Sequence, residues 1–344
     1  MKGMTDERER QKMNQTNVPI YLLSGFLGSG KTTLLTGLLE QWQAQGLKAA
    51  VIMNELGDIN LDGQMVGDDV PMSEMLSGCI CCTIRSDLSL EIKTLIETHK
   101  PDVIVIESTG AANPMEIMDG VTEAALYCRI ELQSVITVVD GPELLQRSRS
   151  GKGKTFKLMR EQIRCATRLL LNKADKLAPE ELVEAQQLLR EMNTVAPVMT
   201  TVRCKVEDWA FLNGQAEDVV QLSAVHNQDT GSQHGHHEEH HHHHTHEHVM
   251  VMTHYMNGPV DSVAFEEFLK GLPDNVYRAK GIVSFSDTAS RFLFQYAYRE
   301  TDFIRITPQG EVNDVAVFIG EHFSKDVLLE QLRTVERQAD HSTE

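Results

Sequence analysis

The feature that constrains the fold of this chain most is a glycine-rich turn, GFLGSGKT, at residues Gly25–Thr32. An apolar run of the buried-strand type leads into the turn, and apolar residues at helical spacing follow it and stop at Gly46. The turn matches the P-loop pattern, GxxxxGK followed by Ser or Thr, in the strand-to-helix position that the pattern requires. A simple glycine turn is the alternative, but every fixed position of the pattern is present. The sequence therefore predicts a phosphate-binding loop.

This loop is expected to bind phosphate with both its backbone and its side chains. Glycines let backbone N–H groups surround phosphate oxygens, and the helix N-terminus adds a favourable partial charge. Lys31 is expected to reach the β- and γ-phosphates, and the Thr32 hydroxyl to ligate Mg²⁺. The predicted nucleotide-binding residues of the loop are Gly25, Gly28, Ser29, Gly30, Lys31, Thr32 and Thr33. The sequence therefore predicts a nucleotide-binding protein.

The rest of the chain predicts two domains. Apolar strand-type runs (KAAVIMNE, DVIVIEST, QSVITVVD and TRLLLNKAD) alternate with helical patterns, which indicates a mostly parallel sheet flanked by helices on both faces. After a histidine-rich stretch, four strand-type runs and two helical patterns predict a smaller α+β domain, with Phe292, Phe294, Tyr296 and Tyr298 on one face of a strand. The predicted boundaries are a disordered polar tail at 1–17, a P-loop domain at 18–225, a flexible linker at 226–247 and the C-terminal domain at 248–344.

Composition narrows the class of partner and the compartment. The 32 basic and 50 acidic residues give a net charge of −18, which argues against nucleic acid as a main partner. No apolar run reaches membrane-spanning length, and the polar N-terminal tail lacks the apolar region of a signal peptide. The six cysteines are few and clustered, as expected in a reducing compartment. We predict a cytoplasmic protein without nucleic-acid or membrane partners.

The tetrapeptide NKAD, Asn172 to Asp175, follows an apolar strand and predicts the base. An Asp carboxylate at position 175 can accept both N–H protons from the N1 and N2 edge of guanine, whereas adenine presents the opposite pattern. Asn172 is expected to contact the other edge of the purine, and Lys173 to pack over the ring. NKxD also arises by chance, but its place after a P-loop and at the end of a later strand favours GTP over ATP.

A second strand end, in VIVIESTG, carries a carboxylate for which we predict a catalytic role. Glu107 at the tip of a central strand is expected to hold Mg²⁺ through water or to position the attacking water. Three residues on, the Gly110 N–H is expected to sense the γ-phosphate. Asp140, at a similar strand end, is interpreted as structural. No arginine finger is evident, so slow in-line hydrolysis by water is expected, faster with a partner or metal.

The pentapeptide GCICC places Cys79, Cys81 and Cys82 within four positions. Vicinal cysteines form only a strained disulfide, and the CxxC redox spacing is absent. Three thiolates that need a fourth ligand from elsewhere suit an exchangeable metal site, for Zn²⁺ first and then Cu(I). Buried, inert cysteines are the alternative.

Taken together, the ordered motifs GFLGSGKTTLL, NELGDINLDGQ, GCICC, ESTGAANP and NKAD resemble the CobW-like GTPases, a P-loop family related to GTPases that assist nickel delivery. The resemblance extends through YRAKGIVSF and RFLFQYA and covers about residues 18–338. It implies a GTP-hydrolysing metallochaperone that uses CxCC as its metal motif. It also implies a nucleotide-responsive switch at Asn54–Gln64, with Glu55 as a supplementary metal ligand and Asp62 near the attacking water or Mg²⁺. Leu56 and Asn60 depart from the usual Phe and Gly of this switch.

A histidine-rich segment follows the predicted P-loop domain, with ten histidines between residues 234 and 248. A cloning tag and a merely solvated linker are the alternatives, but interspersed Glu and Thr and the internal position argue against a tag. Neutral imidazoles bind Zn²⁺, Ni²⁺, Co²⁺ and Cu²⁺ with little geometric demand. We predict a low-specificity metal-gathering arm. Its central candidate ligands are His240, His241, His242, His243 and His244.

Three functions are compatible with these features. The first is a GTP-dependent chaperone that transfers a transition metal, Zn²⁺ by preference, to an apo-metalloprotein client. The second is a cofactor-assembly GTPase that inserts cobalt for cobalamin, or metal into an enzyme like nitrile hydratase. The third is a metal store or buffer that nucleotide regulates. The expected cofactors are GTP, Mg²⁺ and Zn²⁺, with Co²⁺ or another transition metal as the alternative, and a homodimer is left open.

Overall fold

The structure is a computed structural model that describes residues 17–53, 70–74, 83–151, 153–213, 249–297, 299–308 and 310–341. In the described part of the first domain, two 3₁₀ segments, Ala174–Lys176 and Trp209–Asn213, accompany the strands and helices. Its described strands are β1 (Val18–Ser24), β2 (Ala49–Met53), β3 (Met72–Glu74), β4 (Val103–Glu107), β5 (Ile130–Asp140), β6 (Arg168–Asn172) and β7 (Val198–Thr200). Its described helices are α1 (Lys31–Ala44), α2 (Thr83–His99), α3 (Pro114–Ala124), α4 (Gly141–Ser150), α5 (Lys154–Arg164) and α6 (Pro179–Met192).

These seven strands form one sheet in the order β3-β2-β4-β1-β5-β6-β7, and the strand pairs are all parallel. The central strands are buried along their whole length because helices cover both faces, which confirms the predicted α/β fold. Parallel strands end at the same edge of a sheet, so the carboxyl ends of β1, β4, β5 and β6 meet there. The last residues of those strands are Ser24, Glu107, Asp140 and Asn172.

Helices that begin at this edge differ in how their first turn is capped. The Asn113 side chain accepts from the Met115 N–H at the start of α3, and the Asp140 side chain accepts from the Glu143 N–H at the start of α4. Helix α1 begins after Gly30, which adopts a φ of 116° and provides no side-chain cap. The first-turn amides of α1 therefore depend on another partner, and an anion suits that position.

The described elements of the C-terminal domain are β8 (Val249–Tyr255), α7 (Ser262–Lys270), β9 (Val276–Ser284), β10 (Arg291–Ala297), β11 (Glu300–Ile306), β12 (Val315–Glu321) and α8 (Lys325–His341). Its strands form one antiparallel sheet in the order β11-β10-β9-β12-β8, packed on these two helices, as predicted. Phe294 and Tyr296 pack with Phe265 in an aromatic core, whereas Tyr298 lies outside the described residues. Strand β11 was not among the predicted strands.

The other face of this sheet packs against the first domain. Val251 and Ile282 belong to the same buried cluster as Ile117 and Val121 of α3. Arg278 on β9 donates to both carboxylate oxygens of Asp119 on α3, at 2.9 and 2.7 Å. The second domain therefore docks on the helix that follows the carboxyl end of β4. In the described ranges, no helix combines the length and apolar character that crossing a membrane requires.

Candidate nucleotide-binding site

The P-loop backbone between β1 and α1 requires glycine at two of its turning points. Gly25 has a φ of 137°, and a Cβ there would lie 2.2 Å from the Val138 carbonyl oxygen. Gly30 has a φ of 116°, and a Cβ there would lie 2.6 Å from the Cys204 sulfur. Both positions combine a left-handed backbone with a close neighbour, so a side chain would displace the loop. The glycines of the motif thus allow the loop to curl tightly over the sheet edge.

Lys31 lies inside this curl. Its side chain is only 7% exposed, and its Nζ donates to the Gly25 carbonyl at 3.0 Å and to the Phe26 carbonyl at 3.4 Å. The hydroxyls of Ser24 and Ser29 are buried beside it and have no hydrogen-bond partner among the residues that the structure describes. Buried polar atoms normally have a partner, so this cradle fits a phosphate group that supplies acceptors.

Thr32 and Glu107 meet across the sheet edge. The Thr32 hydroxyl donates to Glu107 Oε1 at 3.0 Å, and Glu107 at the end of β4 is 4% exposed. Hydroxyl and carboxylate oxygens are the donor types that Mg²⁺ takes, so these residues fit the ion that the motifs imply. The structure brings together these two predicted ligands although 75 positions separate them in the sequence.

Asn172 ties the NKAD segment directly to the P-loop. Its Nδ2 donates to the Ser29 carbonyl at 2.7 Å, and its Oδ1 accepts from the Cys204 N–H at 2.9 Å and from the Thr201 hydroxyl at 3.2 Å. Asn172 is 3% exposed. The base contact expected of this residue stays a prediction, and the structure adds a role that sequence reasoning missed. Asn172 holds the proposed base-recognition and phosphate-binding segments in one unit.

The other two NKAD residues of the prediction point to different surroundings. Lys173 adopts a φ of 61°, and its ammonium group pairs with the Asp140 carboxylate, which also caps α4. That pairing confirms the structural interpretation of Asp140. The Asp175 side chain is exposed in the 3₁₀ segment after β6. An exposed carboxylate three residues after Asn172 is available to accept from a ligand.

The loop that follows β4 packs on the P-loop at Gly110. A Cβ at Gly110 would lie 2.5 Å from the Leu27 nitrogen and 2.6 Å from Leu27 Cγ. Only glycine allows this approach, which places the predicted γ-phosphate sensor against the phosphate loop. The Ser108 hydroxyl donates to the Leu23 carbonyl at 2.9 Å and secures the start of the same loop.

A further segment of the site, Thr201 to Cys204, was not predicted. Cys204 is buried, as are Cys128 and Cys165. The Cys204 thiol also donates to the Gly30 carbonyl at 3.3 Å. Burial raises the pKa of this thiol to about 12, against the opposing effect of Lys173, so it stays protonated as a donor. A lone cysteine after a short strand carried no signal for this position.

Several predicted site residues lie outside the described residues. They are Glu55, Asp62, Cys79, Cys81, Cys82 and His240 to His244. In the part of the chain that the structure describes, no group of three or more His, Cys, Asp or Glu side chains is arranged to hold a metal ion. The metal-ligand assignments therefore stay predictions from the sequence.

Family comparison agrees with the nucleotide-site geometry. Residues 19–200 match the CobW/HypB/UreG nucleotide-binding domain, and residues 249–336 match the cobalamin synthesis protein CobW C-terminal domain. The chain belongs to the CobW/HypB/UreG family. The family prediction made from the ordered motifs is thereby confirmed, and with it the assignment to a family of P-loop GTPases.

Relatives of this CobW-family protein carry names that refer to zinc. It is 31% identical over 231 residues to zinc-regulated GTPase metalloprotein activator 1 of Dictyostelium discoideum, which covers 57% of this chain and 48% of that relative. It is 29% identical over 320 residues to the zinc chaperone YjiA of Escherichia coli strain K12, which covers 88% of this chain and 94% of YjiA. The crystal structure of Zn(II)-bound YjiA shares 24% identity at a TM-score of 0.44, over 93% of this chain and 99% of YjiA. The chain thus spans about half the length of the Dictyostelium relative.

Proposed function

We propose that this protein is a GTP-hydrolysing metallochaperone that binds a transition metal, Zn²⁺ by preference, at Cys79, Cys81 and Cys82 and transfers it to an apo-metalloprotein client. The observation that carries the nucleotide half is the direct bond from Asn172 to the Ser29 carbonyl, which joins a guanine-type motif to a phosphate loop. The metal half is supported by the CxCC motif and by the names of the curated relatives. Coupling between the two halves is part of the proposal.

The proposed hydrolysis is an in-line attack of water on the γ-phosphate, and most of the acceleration comes from positioning and charge. Lys31 and the glycine-rich backbone bind the phosphates from one side. Glu107 and Thr32 hold a polar, nearly buried corner where water can be oriented. Mg²⁺, when bound there, supplies positive charge that neutralises the phosphate oxygens. Asp62 is proposed to act near the same water.

Base recognition is tested by the substitution Asp175→Asn. The carboxylate of Asp175 accepts from the guanine edge in the proposed complex, whereas an asparagine amide can donate to the additional oxygen of xanthine. We expect GTP affinity to fall at least about a hundredfold and affinity for xanthosine triphosphate to rise. Isothermal titration with both nucleotides measures this exchange. The control Asp302→Asn, an exposed position on β11, should change neither affinity.

If Asp175→Asn binds GTP and xanthosine triphosphate as the parent does, guanine recognition through NKAD is wrong. A parent protein that hydrolyses ATP as fast as GTP would contradict the proposal in a separate way, because it would place base selection elsewhere.

Metal coupling is tested by zinc titration of the full chain loaded either with a non-hydrolysable GTP analogue or with GDP. We expect tighter Zn²⁺ binding in the GTP-analogue state. Binding should release protons because the cysteine thiols must become thiolates to bind the ion. Replacing Cys79, Cys81 and Cys82 by serine should remove the nucleotide-dependent site. Deleting residues 234–248 should weaken loading at scarce metal and leave basal GTP turnover unchanged. Identical Zn²⁺ affinities in both nucleotide states would defeat the coupling.

Transfer separates this function from the alternatives. Metal-stimulated GTP turnover accompanied by metal appearing in an apo-protein supports a chaperone or a cofactor-assembly GTPase, and the metal that the client accepts separates those two. Many ions bound per chain with negligible turnover would instead support a store.

A further inference from the structure

A buried amide reaches the Gly110 loop from a distant part of the chain. Gln162 near the end of α5 is 1% exposed, and its Nε2 donates to the Gly110 carbonyl at 3.1 Å and to the Ala112 carbonyl at 3.3 Å. A glutamine amide carries two N–H donors, and here its nitrogen lies within hydrogen-bond distance of two backbone acceptors. One side chain therefore holds two carbonyls of the loop between β4 and α3.

The main chain and the surroundings of Gln162 are held in place by further contacts. The main-chain carbonyl of Gln162 accepts from the Thr137 hydroxyl on β5 at 2.8 Å. Its helical neighbours Met159 and Ile163 are buried in the cluster between α4, α5 and α6. Because both the backbone and the surroundings of Gln162 are packed, the amide holds the loop from a rigid position.

The loop transmits this position to the P-loop. The Ala112 N–H donates to the Thr109 carbonyl at 3.0 Å, so a hydrogen bond closes residues 109 to 112 into a turn. Gly110 in this turn lies against the Leu27 backbone, where a Cβ would be 2.5 Å from the Leu27 nitrogen. A shift of this turn would therefore change its packing on the phosphate loop.

We propose that Gln162 is a positioning residue that holds the Gly110 turn against the P-loop in the arrangement that accepts the γ-phosphate. This inference rests on the proposed GTP hydrolysis. Without the amide, the buried Gly110 carbonyl and the partly buried Ala112 carbonyl lose a donor, and the turn is free to relax away from Leu27. Binding of GTP should suffer more than binding of GDP, because GDP lacks the phosphate that this turn faces.

The experiment compares Gln162→Met with a matched control, Asn193→Leu. Methionine keeps the length of glutamine but has no donor. Asn193 is also a fully buried amide, and its Nδ2 donates to the Ile163 carbonyl at 2.8 Å and to the Ala166 carbonyl at 3.0 Å, at the C-terminal end of α5. Both substitutions lower stability by the same mechanism, but only the first touches the turn. The readouts are the dissociation constants for GDP and for a GTP analogue, and the kcat of GTP hydrolysis.

We expect Gln162→Met to weaken binding of the GTP analogue about tenfold and to lower kcat, while GDP affinity stays within about twofold. Asn193→Leu should leave both affinities within about twofold despite a lower Tm. Equal ratios of GTP-analogue to GDP affinity in the two variants would overturn the inference. If Gln162→Met does not fold, Gln162→Asn, which keeps the amide but is shorter, takes its place with the same expected change.

The parent protein separates this inference from the proposed function. A parent that neither prefers the GTP analogue nor hydrolyses GTP contradicts the proposed function, whatever the variants do. A parent that does both, with a Gln162 variant that keeps the parental ratio, contradicts only the role of Gln162.

Discussion

The two sheets of this protein place their polar side chains in opposite ways. In the parallel sheet the central strands are buried on both faces, and the polar residues that form the site lie at strand ends, such as Glu107 and Asn172. In the antiparallel sheet, Arg278 and Lys280 lie along β9, on the face that carries Ile282 into the shared cluster. A sheet covered on both faces leaves only its edge for ligand chemistry, whereas a sheet with one face against another domain can use that face for docking.

The docking face and the nucleotide edge meet on α3. This helix starts directly after the Gly110 turn and carries Asp119, which is 4% exposed and accepts two bonds from Arg278. Lys280 donates to the Asp119 carbonyl at 3.0 Å. We therefore expect substitutions at the nucleotide edge to alter GTP turnover and substitutions in the second sheet to alter the free energy of unfolding.

The largest effect is expected in the core of the second domain. Phe265 on α7 is fully buried, and its ring meets that of Phe294 edge-on at 5.1 Å between centroids. Phe265→Ala should lower the free energy of unfolding by about 3–5 kcal/mol because it leaves a cavity that the surrounding rings cannot fill. Urea unfolding measures the loss. Val263→Ala, on the same helix at a position that is 61% exposed, should be nearly neutral.

If Phe265→Ala lowers the free energy of unfolding no more than the exposed control Val263→Ala does, this aromatic core is not packed as described. A variant that keeps its stability but loses GTP turnover would break the comparison, because it would place a nucleotide role in the second sheet.

The second effect belongs to the nucleotide edge. Lys31→Ala should lower the kcat of GTP hydrolysis by at least about a hundredfold. The substitution removes a preorganised positive charge that stabilises the negative charge developing on the phosphate in the transition state. Its unfolding free energy should change less than that of Phe265→Ala. A phosphate-release assay with Lys157→Ala as the control, an exposed lysine on α5, measures the loss. Full turnover in Lys31→Ala would remove the P-loop from the mechanism.

Residues with a local chemical requirement were predictable from the sequence. Gly25 and Gly30 are needed for backbone geometry, and Lys31, Thr32 and Glu107 stand at fixed places relative to a strand and a helix. The parallel sheet followed from continuous apolar strands that alternate with helices. These features depend on neighbours in the chain, so the pattern of residues carries them.

Contacts between distant segments were not predictable in the same way. The bond from Asn172 to Ser29 spans 143 positions, and Gln162 lies 52 positions from Gly110. A buried glutamine or cysteine looks the same in sequence whether it braces a loop or fills a core. Strand β11 was missed for a different reason: it is an edge strand whose residues are mostly exposed or half-buried, so it lacks a strong apolar alternation.

A smaller effect is expected at the junction of the two domains. The Tyr255 hydroxyl accepts from the Ile130 N–H at 2.8 Å and lies 2.8 Å from the Cys128 carbonyl, to which it can donate. Tyr255→Phe should lower the free energy of unfolding by about 1–3 kcal/mol, because buried backbone groups of the first domain lose their partner. Tyr127→Phe, whose side chain is 44% exposed, is the control and should be neutral in the same urea titration. Equal curves for the two variants would mean that this junction contributes no stability.

The smallest effect is a pH dependence within the second domain. Glu336 on α8 lies 3.3 Å from His254 Nε2 on β8 and accepts from the Asn257 N–H at 2.8 Å. Burial alone would raise the pKa of Glu336, but the contacts with His254 and Asn257 outweigh it and lower the pKa. A carboxyl whose pKa is lower when folded contributes stability above its unfolded pKa of about 4.3, and that stability is lost as pH falls through the folded value. The gap in unfolding free energy between the parent and Glu336→Gln should therefore be full at neutral pH and close in acid. Glu330→Gln, exposed on the same helix, should run parallel to the parent. A Glu336→Gln curve that also runs parallel would mean that the contacts of Glu336 with His254 and Asn257 contribute no pH-dependent stability.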